Sequence, residues 1–471
     1  MDDLALLVDF GSTYTKVLAV DLDKAEVIGR AQSPTTVEDN MLHGLLRAME
    51  RLTLRGKPAD AATLHQARKL ASSSAAGGLR IVAVGLVPDL TVEAARKAAL
   101  GAGAKLVGSF GFELDEQALD DIEAARCDIL LLVGGIDGGN KDVILHNARM
   151  LASRRLEMPF IVAGNRSAAA QAVQILRDSG KQVERTDNVL PELDRLVVEP
   201  ARACIRDIFM RNIVRAKGLE QAQDYLGNIL MPTPMATLKA ASLLAHGHGS
   251  EPGLGELMVV EIGGATTNVH SIAHGTSLSS NTITRGLPEP YEMRTVEGDL
   301  GIRFNAMTIF EAIGASRILH HAGPGVDAAA LEAGVARRHE QVAFVPDSEV
   351  ESALDIALGC SAVEVAVERH VGSVKESLGV DGLVRIQNGK DLTGLRTVIG
   401  TGGLFSHNPR AGRVLQAALM RPEAPFSLKP RAADFYIDQG YVMYGVGLLG
   451  SESPEAALRV AKRHLVSWSA C

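Results

Sequence analysis

The sequence has no paired cysteines. Cys127, Cys204, Cys360 and Cys471 are scattered, and none stands in a Cys-x-x-Cys pair. That excludes a zinc-ligand pattern and a disulfide framework. Four lone thiols suit a reducing compartment. Aromatics are scarce, 4% with a single Trp, so a base-stacking surface for single-stranded nucleic acid is not supported. Positive charge is not in excess either. The 48 Lys+Arg against 56 Asp+Glu leave a formal net charge of -8, which argues against a broad nucleic-acid footprint. No apolar run approaches the roughly 18–20 residues that cross a bilayer; the longest resemble Ile129–Val133. The opening MDDLALLVDFG is acidic and enters a strand at once, without the positive flank or cleavage site of a signal peptide. These absences predict a soluble, cytoplasmic protein with neither nucleic acid nor membrane as partner.

What the sequence does have is length and glycine. A chain of 471 residues suggests two to four domains at roughly 100–200 residues each. The 47 glycines, in a chain poor in aromatics, suit an α/β protein whose backbone turns tightly around a ligand. The first 30 residues predict an antiparallel strand meander. Val37, Met41, Leu45, Met49 and Leu52 recur at helical spacing between Thr36 and Leu54. Residues 56–79 are polar and small, with Gly77-Gly78 as a breaker. From Leu79 to about Val189 apolar strands alternate with helical stretches. That predicts βαβ units and a parallel sheet, with Thr91 as a helix N-cap and Gly180 as a helix stop. Residues 191–248 read as purely helical, and 249–256 (GSEPGLGE) as a linker. A second meander begins at Leu257. Helices are expected near 351–380, a strand at 395–403, helices after Gly412 and Gly440, and a helical tail from Pro454.

One long-range repeat stands out. Residues 6–18 read LLVDFGSTYTKVL, and residues 257–269 read LMVVEIGGATTNV. Each is a buried strand, a carboxylate, an apolar residue, a glycine, then small hydroxyl residues leading into another strand. In the first copy Gly11 lets a ligand approach the backbone. The N–H groups and the hydroxyls of Ser12, Thr13 and Thr15 suit phosphate oxygens, and Lys16 neutralises charge. Asp9 is placed to hold Mg²⁺ through water. In the second copy Gly263, Gly264, Ala265, Thr266 and Thr267 form the matching turn, with Glu261 as the second carboxylate at the metal. Either turn alone also reads as an ordinary Gly-rich hairpin; two copies in one chain make that coincidence improbable. A third glycine-rich turn, Gly400-Thr401-Gly402-Gly403, follows the strand at Val398 and would let a base or ribose lie on bare backbone.

These three turns, in this order and spacing, resemble the actin/Hsp70/sugar-kinase ATPase superfamily. A closer resemblance runs through almost the whole chain. The segments SSSAAGGLR (72–80), VGGIDGGN (133–140), VEPAR (198–202), PTPMATLKAA (232–241), EIGGATTNVHS (261–271) and TVEGDLG (295–301) are similar to the MutL/GlmL proteins. These are encoded beside glutamate mutase and related adenosylcobalamin-dependent aminomutases, and are unrelated to the mismatch-repair protein of the same name.

The resemblance implies an α/β fold of two ribonuclease-H-like, actin-like ATPase domains with an inserted βα region. It divides the chain into a first half beginning at 1–78, a βα region at 79–190 that is part insert and part first half, a helical connection at 191–255, a second half at 256–450 and a helical tail at 451–471. It implies ATP and Mg²⁺ as cofactors and the subunits of an adenosylcobalamin-dependent mutase as partners. The role it implies is an ATP-dependent reactivating chaperone with weak ATPase activity, in which Asp9, Lys16 and Glu261 act on the phosphates. The second hairpin of the family begins and ends with Asp, where this chain has Glu261 and Asn268. Two alternatives stay open: a small-molecule kinase of the same fold, and a nucleotide-sensing scaffold without hydrolysis. Four further features read more simply. Gly134–Asn140 is a tight βα turn or a second ligand loop, and Glu297 and Asp299 are a solvated pair or water-orienting carboxylates. His320-His321 cap a helix end, and His246-Gly247-His248 is surface loop.

Overall fold

Leu4–Phe10 (β1) is buried at every position, which is what a strand covered on both faces requires. It pairs antiparallel with Tyr14–Asp21 (β2), and β2 pairs antiparallel with Glu26–Pro34 (β3). On the other side of β1 lies Arg68–Ser73 (β4), parallel to it, and beyond that Ile229–Pro232 (β5), parallel to β4. The sheet order is therefore β5-β4-β1-β2-β3. The computed structural model describes residues 3–36, 40–74, 79–102, 104–193, 195–216, 225–226, 229–275, 282–287, 289–379 and 382–469. Val37, the Gly77-Gly78 breaker and Cys471 lie outside the described residues.

Thr233–His246 (α1) follows β5, and the second sheet begins soon after. Leu257–Ile262 (β6) pairs antiparallel with Thr267–Ile272 (β7), and β7 with Glu292–Glu297 (β8). Thr397–Gly402 (β9) runs parallel to β6, and Asp434–Asp438 (β10) parallel to β9. Strand for strand this repeats the first sheet. Both are ribonuclease-H-like, and together they make the actin-like architecture. Glu349–His370 (α2) contributes more residues than any other element to one core beneath the second sheet, where Leu354, Leu358 and Val363 pack with Val260, Val269 and Val398.

Met443–Leu449 (α3) follows β10 as α1 follows β5. One core holds Leu7 and Leu18 of the first sheet, Val259 and Ile399 of the second, and the buried faces of α1 and α3. The two helices thus form the joint between the halves. Their approach is set by Gly447: a Cβ there would lie 1.7 Å from the Ala236 carbonyl oxygen. Gly447→Ala is therefore expected to lower stability by about 3 kcal/mol, the upper end of overpacking costs, because a backbone oxygen cannot swing away. A melting curve unchanged from wild type would contradict that packing.

Several elements differ from the sequence reading. Arg68–Ser73 was expected to be polar connection, and it is a central strand whose burial continues through Ser72 and Ser73. Hydroxyls rather than apolar side chains occupy its end, which hides it from a hydrophobicity pattern. Residues 191–248 are not purely helical, since they contain β5. The helices near 351–380 stop at His370, and Ser373–Gly379 pairs with Gly382–Asn388 as a hairpin. The tail from Pro454 is a helix, Pro454–His464 (α4), that gives way to Leu465–Trp468 (β11). That strand pairs antiparallel with β10, itself an unexpected strand.

The chain divides into two compact units. One comprises residues 1–77, 213–284 and 289–471; the other comprises 78–212 and 285–288. The second unit is a parallel sheet of the strands at 79–84, 104–110, 129–132, 160–162 and 183–185, in the order fifth-fourth-third-first-second. Its helices fall where the alternation predicts. Thr91 is the exception. Pro88 opens a turn at 88–92 ahead of the helix, and the Thr91 hydroxyl lies inside it, accepting from the Leu86 and Val87 amides at 2.8 and 2.9 Å. The 134–140 loop is a tight turn. Gly135 takes a φ of +72°, and the Asn165 amide donates to the carbonyls of Gly139 and Asn140 at 3.1 and 3.0 Å. Among the described residues no helix is long and apolar enough to cross a membrane.

Candidate functional site

The internal repeat folds into two copies of one turn. In the first, the Gly11 amide donates to the Tyr14 carbonyl at 3.1 Å, and Asp9 stands directly across the ladder from Lys16. In the second, the Gly263 amide donates to the Thr266 carbonyl at 2.8 Å, and Glu261 stands across from Asn268. The two turns line one cavity of about 750 Å³, a size typical of small-molecule sites. They meet there: a Cβ on Gly264 would lie 2.6 Å from Thr13 Oγ1. The Thr13 hydroxyl is buried and has no protein partner among the described residues. At the mouth, the Tyr14 hydroxyl donates to the Ala343 carbonyl at 3.4 Å.

Asp9 is pinned from three directions. Thr233 Oγ1 donates to its Oδ1 at 2.6 Å and Ser72 Oγ at 3.2 Å, while Lys16 Nζ reaches Oδ2 at 3.1 Å. Lys16 also donates to the Tyr441 hydroxyl at 3.1 Å. Burial alone would pull the Lys16 ammonium down, but Tyr441 and Asp9 outweigh it and hold its pKa above the usual value, so it stays a cation. Glu261 is anchored through one oxygen. Oε2 accepts from Asn268 Nδ2 at 3.0 Å and lies 3.5 Å from His270 Nε2. Burial pushes its pKa up, yet His270, Asn268 and Lys16 together keep it below the usual carboxylate range. Oε1 has no protein donor among the described residues, and Glu261 lines the cavity.

Of the residues singled out from the sequence, Asp9, Gly11, Ser12, Thr13, Lys16, Glu261, Gly263, Gly264, Thr266, Asn268 and Gly403 line this one cavity. The others sit behind its wall. The Thr15 hydroxyl is buried against Thr35 Oγ1 at 3.3 Å. Thr267 donates to the Leu300 carbonyl at 2.6 Å. Ala265 is buried in the turn, packed under Gly301. Gly400 makes room for the Phe405 ring, and a Cβ on Gly402, whose φ is +113°, would strike the Ile262 carbonyl. Thr401 donates to Asp438 Oδ2 at 2.8 Å. Only the last glycine of the third turn therefore faces the cavity. Glu297 and Asp299 both pair with Arg369 on the exterior, at 2.6 and 2.9 Å.

The far end of the cavity was not legible in the sequence. Phe344, Val345, Leu404, His407 and Asn408 line it. Its wall is set by a buried ion network. Arg303 grips Asp355 through two bonds at 3.0 and 2.8 Å, and Arg338 joins Asp355 at 2.7 Å to Glu351 at 2.6 Å. Arg338 lies over the Phe344 ring at 5.4 Å. Ser72 and Thr233 were also missed as site residues. Both lie at the carboxyl edge of parallel strands, where α/β sheets gather ligand groups, and that position was the available signal.

The sequence pattern that defines the MutL protein family matches residues 5–465. Protein MutL of Clostridium tetanomorphum is 43% identical over 467 residues, covering 98% of this chain and 99% of that protein. This chain belongs to the MutL protein family. Among solved structures, a glycerol dehydratase reactivase aligns with 95% of this chain and 99% of its own at 10% identity, with a TM-score of 0.34. Component A of the (R)-2-hydroxyglutaryl-CoA dehydratase of Acidaminococcus fermentans aligns with 98% and 99% at 10% identity, with a TM-score of 0.31. The xylulose kinase of Lactobacillus acidophilus aligns with 99% and 93% at 8% identity, with a TM-score of 0.33.

This member of the MutL family buries two histidines behind the second hairpin. His270 lies against Glu261, and His370 bridges Thr295 Oγ1 at 3.0 Å and Ser271 Oγ at 2.8 Å. Burial pulls both pKa values down; at His270 the Glu261 carboxylate opposes it without winning, and Arg294 adds to the fall, as Lys390 does at His370. Below about pH 6.5 the unfolded chain takes up a proton at each ring, while the folded chain does so only at lower pH. Stability therefore drops as the pH is lowered below that point, by up to about 1.4 kcal/mol per pH unit for each ring. The melting temperature is expected to hold above pH 7 and drop steadily toward pH 5.5, with a shallower drop in His370→Gln. A flat profile across that range would contradict two neutral buried rings.

Proposed function

We propose that this protein binds ATP with magnesium in the cleft between its two ribonuclease-H-like halves. It uses the binding to drive domain motion that reactivates an adenosylcobalamin-dependent mutase, glutamate mutase or a related aminomutase, by releasing damaged cofactor. The observation that carries the nucleotide reading is the pair of facing hairpins, with the unpartnered Thr13 hydroxyl between them. Two hydroxyl-bearing turns and a cationic Lys16 on one cavity are a cradle for phosphate oxygens. The client follows from the MutL resemblance.

The residues fit magnesium held through water. Among the described residues no group of three or more acidic, His or Cys side chains is placed to hold a metal, and Mg²⁺ often keeps several waters and uses one or two carboxylates. Asp9 and Glu261 would hold it, and it would neutralise charge on the phosphates. Asp9 is fixed by Ser72 and Thr233. Glu261 offers Oε1 to water, which in this reading supports slow hydrolysis. A hinge at α1 and α3 changes the angle between halves when one closure state binds nucleotide better. The βα region at 79–190 is the element that meets the client, and the cytoplasm is where it works.

The test adds the protein to a mutase inactivated by turnover, with fresh adenosylcobalamin, magnesium and ATP. Mutase activity is expected to return only with ATP present. Recovery equal without ATP, or a phosphorylated small-molecule product in place of recovery, would overturn the reading.

A further inference from the structure

Tyr441 stands in the turn between β10 and α3 with a φ of +47°. A side chain there costs about 1 kcal/mol or more, and such strain gathers at functional sites. Ala25, Arg55, Phe112 and Arg126 share a positive φ among the described residues, but Tyr441 is the one of them that lines the cleft. Asp438, fully buried, locks the turn. Its Oδ1 accepts from the Val442 amide and its Oδ2 from the Met443 amide, each at 3.0 Å, and its carbonyl accepts from the Tyr441 amide at 3.1 Å. Thr401 holds the same carboxylate.

The locked turn presents the phenol to Lys16. The ammonium donates to the Tyr441 hydroxyl and lies 4.2 Å from the ring centroid, a cation–π contact. Burial pushes the phenol pKa up to about 12, so it stays neutral and accepts. Its own proton has no acceptor among the described residues and is free for a ligand in the cavity. Lys16 belongs to the first sheet, while Tyr441 leads into α3, one of the two helices at the joint.

We propose that Tyr441 is a positioning residue that seats the Lys16 ammonium for the terminal phosphates of the nucleotide and ties that ammonium to the hinge helix α3. The proposal rests on the nucleotide reading above. It accounts for a strained tyrosine at a place where glycine would relax the turn.

The test titrates wild type, Tyr441→Phe and Tyr441→Leu with magnesium-ATP and, separately, with AMP, which lacks the terminal phosphates. Tyr441→Phe keeps the ring and loses the hydroxyl, so its ATP affinity is expected to fall about 10-fold. Tyr441→Leu loses the ring face as well and is expected to fall further. AMP affinity is expected to stay at the wild-type value in each. Equal losses for ATP and AMP mean a merely structural role and overturn the proposal, as do variants that bind ATP like wild type. A wild type that binds neither nucleotide overturns the nucleotide reading and this coupling with it.

Discussion

Asp9→Asn is expected to weaken magnesium-dependent ATP binding by at least about 100-fold while leaving the fold intact. The amide oxygen can still accept from Thr233 and Ser72, which reach Oδ1 at 2.6 and 3.2 Å. What disappears is the negative charge that faces Lys16 and the metal's water. Hydrogen bonds to charged groups contribute roughly 1.5–3 kcal/mol each, and losing two gives the stated factor. Asp9→Ala is the harsher change. Both changes leave the Lys16 ammonium without its carboxylate, but the alanine also strips the acceptor from the buried Thr233 and Ser72 hydroxyls, a further loss of roughly 1–3 kcal/mol in stability, so the asparagine variant is the cleaner probe. Calorimetry with magnesium and then with a chelator separates the effects. Wild type and variant are expected to converge once the metal is removed. Equal affinity with magnesium present would mean that Asp9 does not serve a phosphate site.

Gly264→Val should be comparably damaging by a different route. A Cβ at 264 falls 2.6 Å from Thr13 Oγ1, with Arg303 Cβ and Cγ at 3.5 and 3.6 Å behind it. The added methyls wedge the hairpins apart where the phosphates are proposed to lie. The expected loss of ATP affinity is roughly 100-fold, the ~3 kcal/mol upper end of overpacking. A double-mutant cycle localises the cause. Gly264→Ala is expected to weaken binding much less in a Thr13→Ala background, because the clashing oxygen is gone. Full additivity of the two changes would place the effect elsewhere.

The repeat was legible because both copies combine a buried strand, a carboxylate and a glycine, and each of those has a local physical reason. The βα alternation at 79–189 was legible for the same kind of reason: its strands are apolar on both faces. Ser72, Thr233 and Tyr441 were not. Ser72 closes a central strand with a hydroxyl, where pattern reading expects an apolar residue. Thr233 sits between Pro232 and Pro234 in a stretch that reads as helical, while the strand Ile229–Pro232 runs into it. Tyr441 acts through a backbone angle and a contact 425 residues away in sequence, neither of which leaves a local trace. The third glycine turn shows the opposite error. Gly400 and Gly402 serve close packing against Phe405 and Ile262, a use of glycine that the sequence does not distinguish from ligand contact.

The central claim is that the two hairpins close on one triphosphate. It is tested most directly by a crystal structure of the protein with magnesium and a non-hydrolysable ATP analogue. The account predicts the terminal phosphates in the cavity that the two hairpins line, against Ser12 and Gly263 and within hydrogen-bonding distance of Lys16, with the base toward Phe344 and Gly403. An analogue bound elsewhere, or a cleft without nucleotide at saturating concentration, would contradict it.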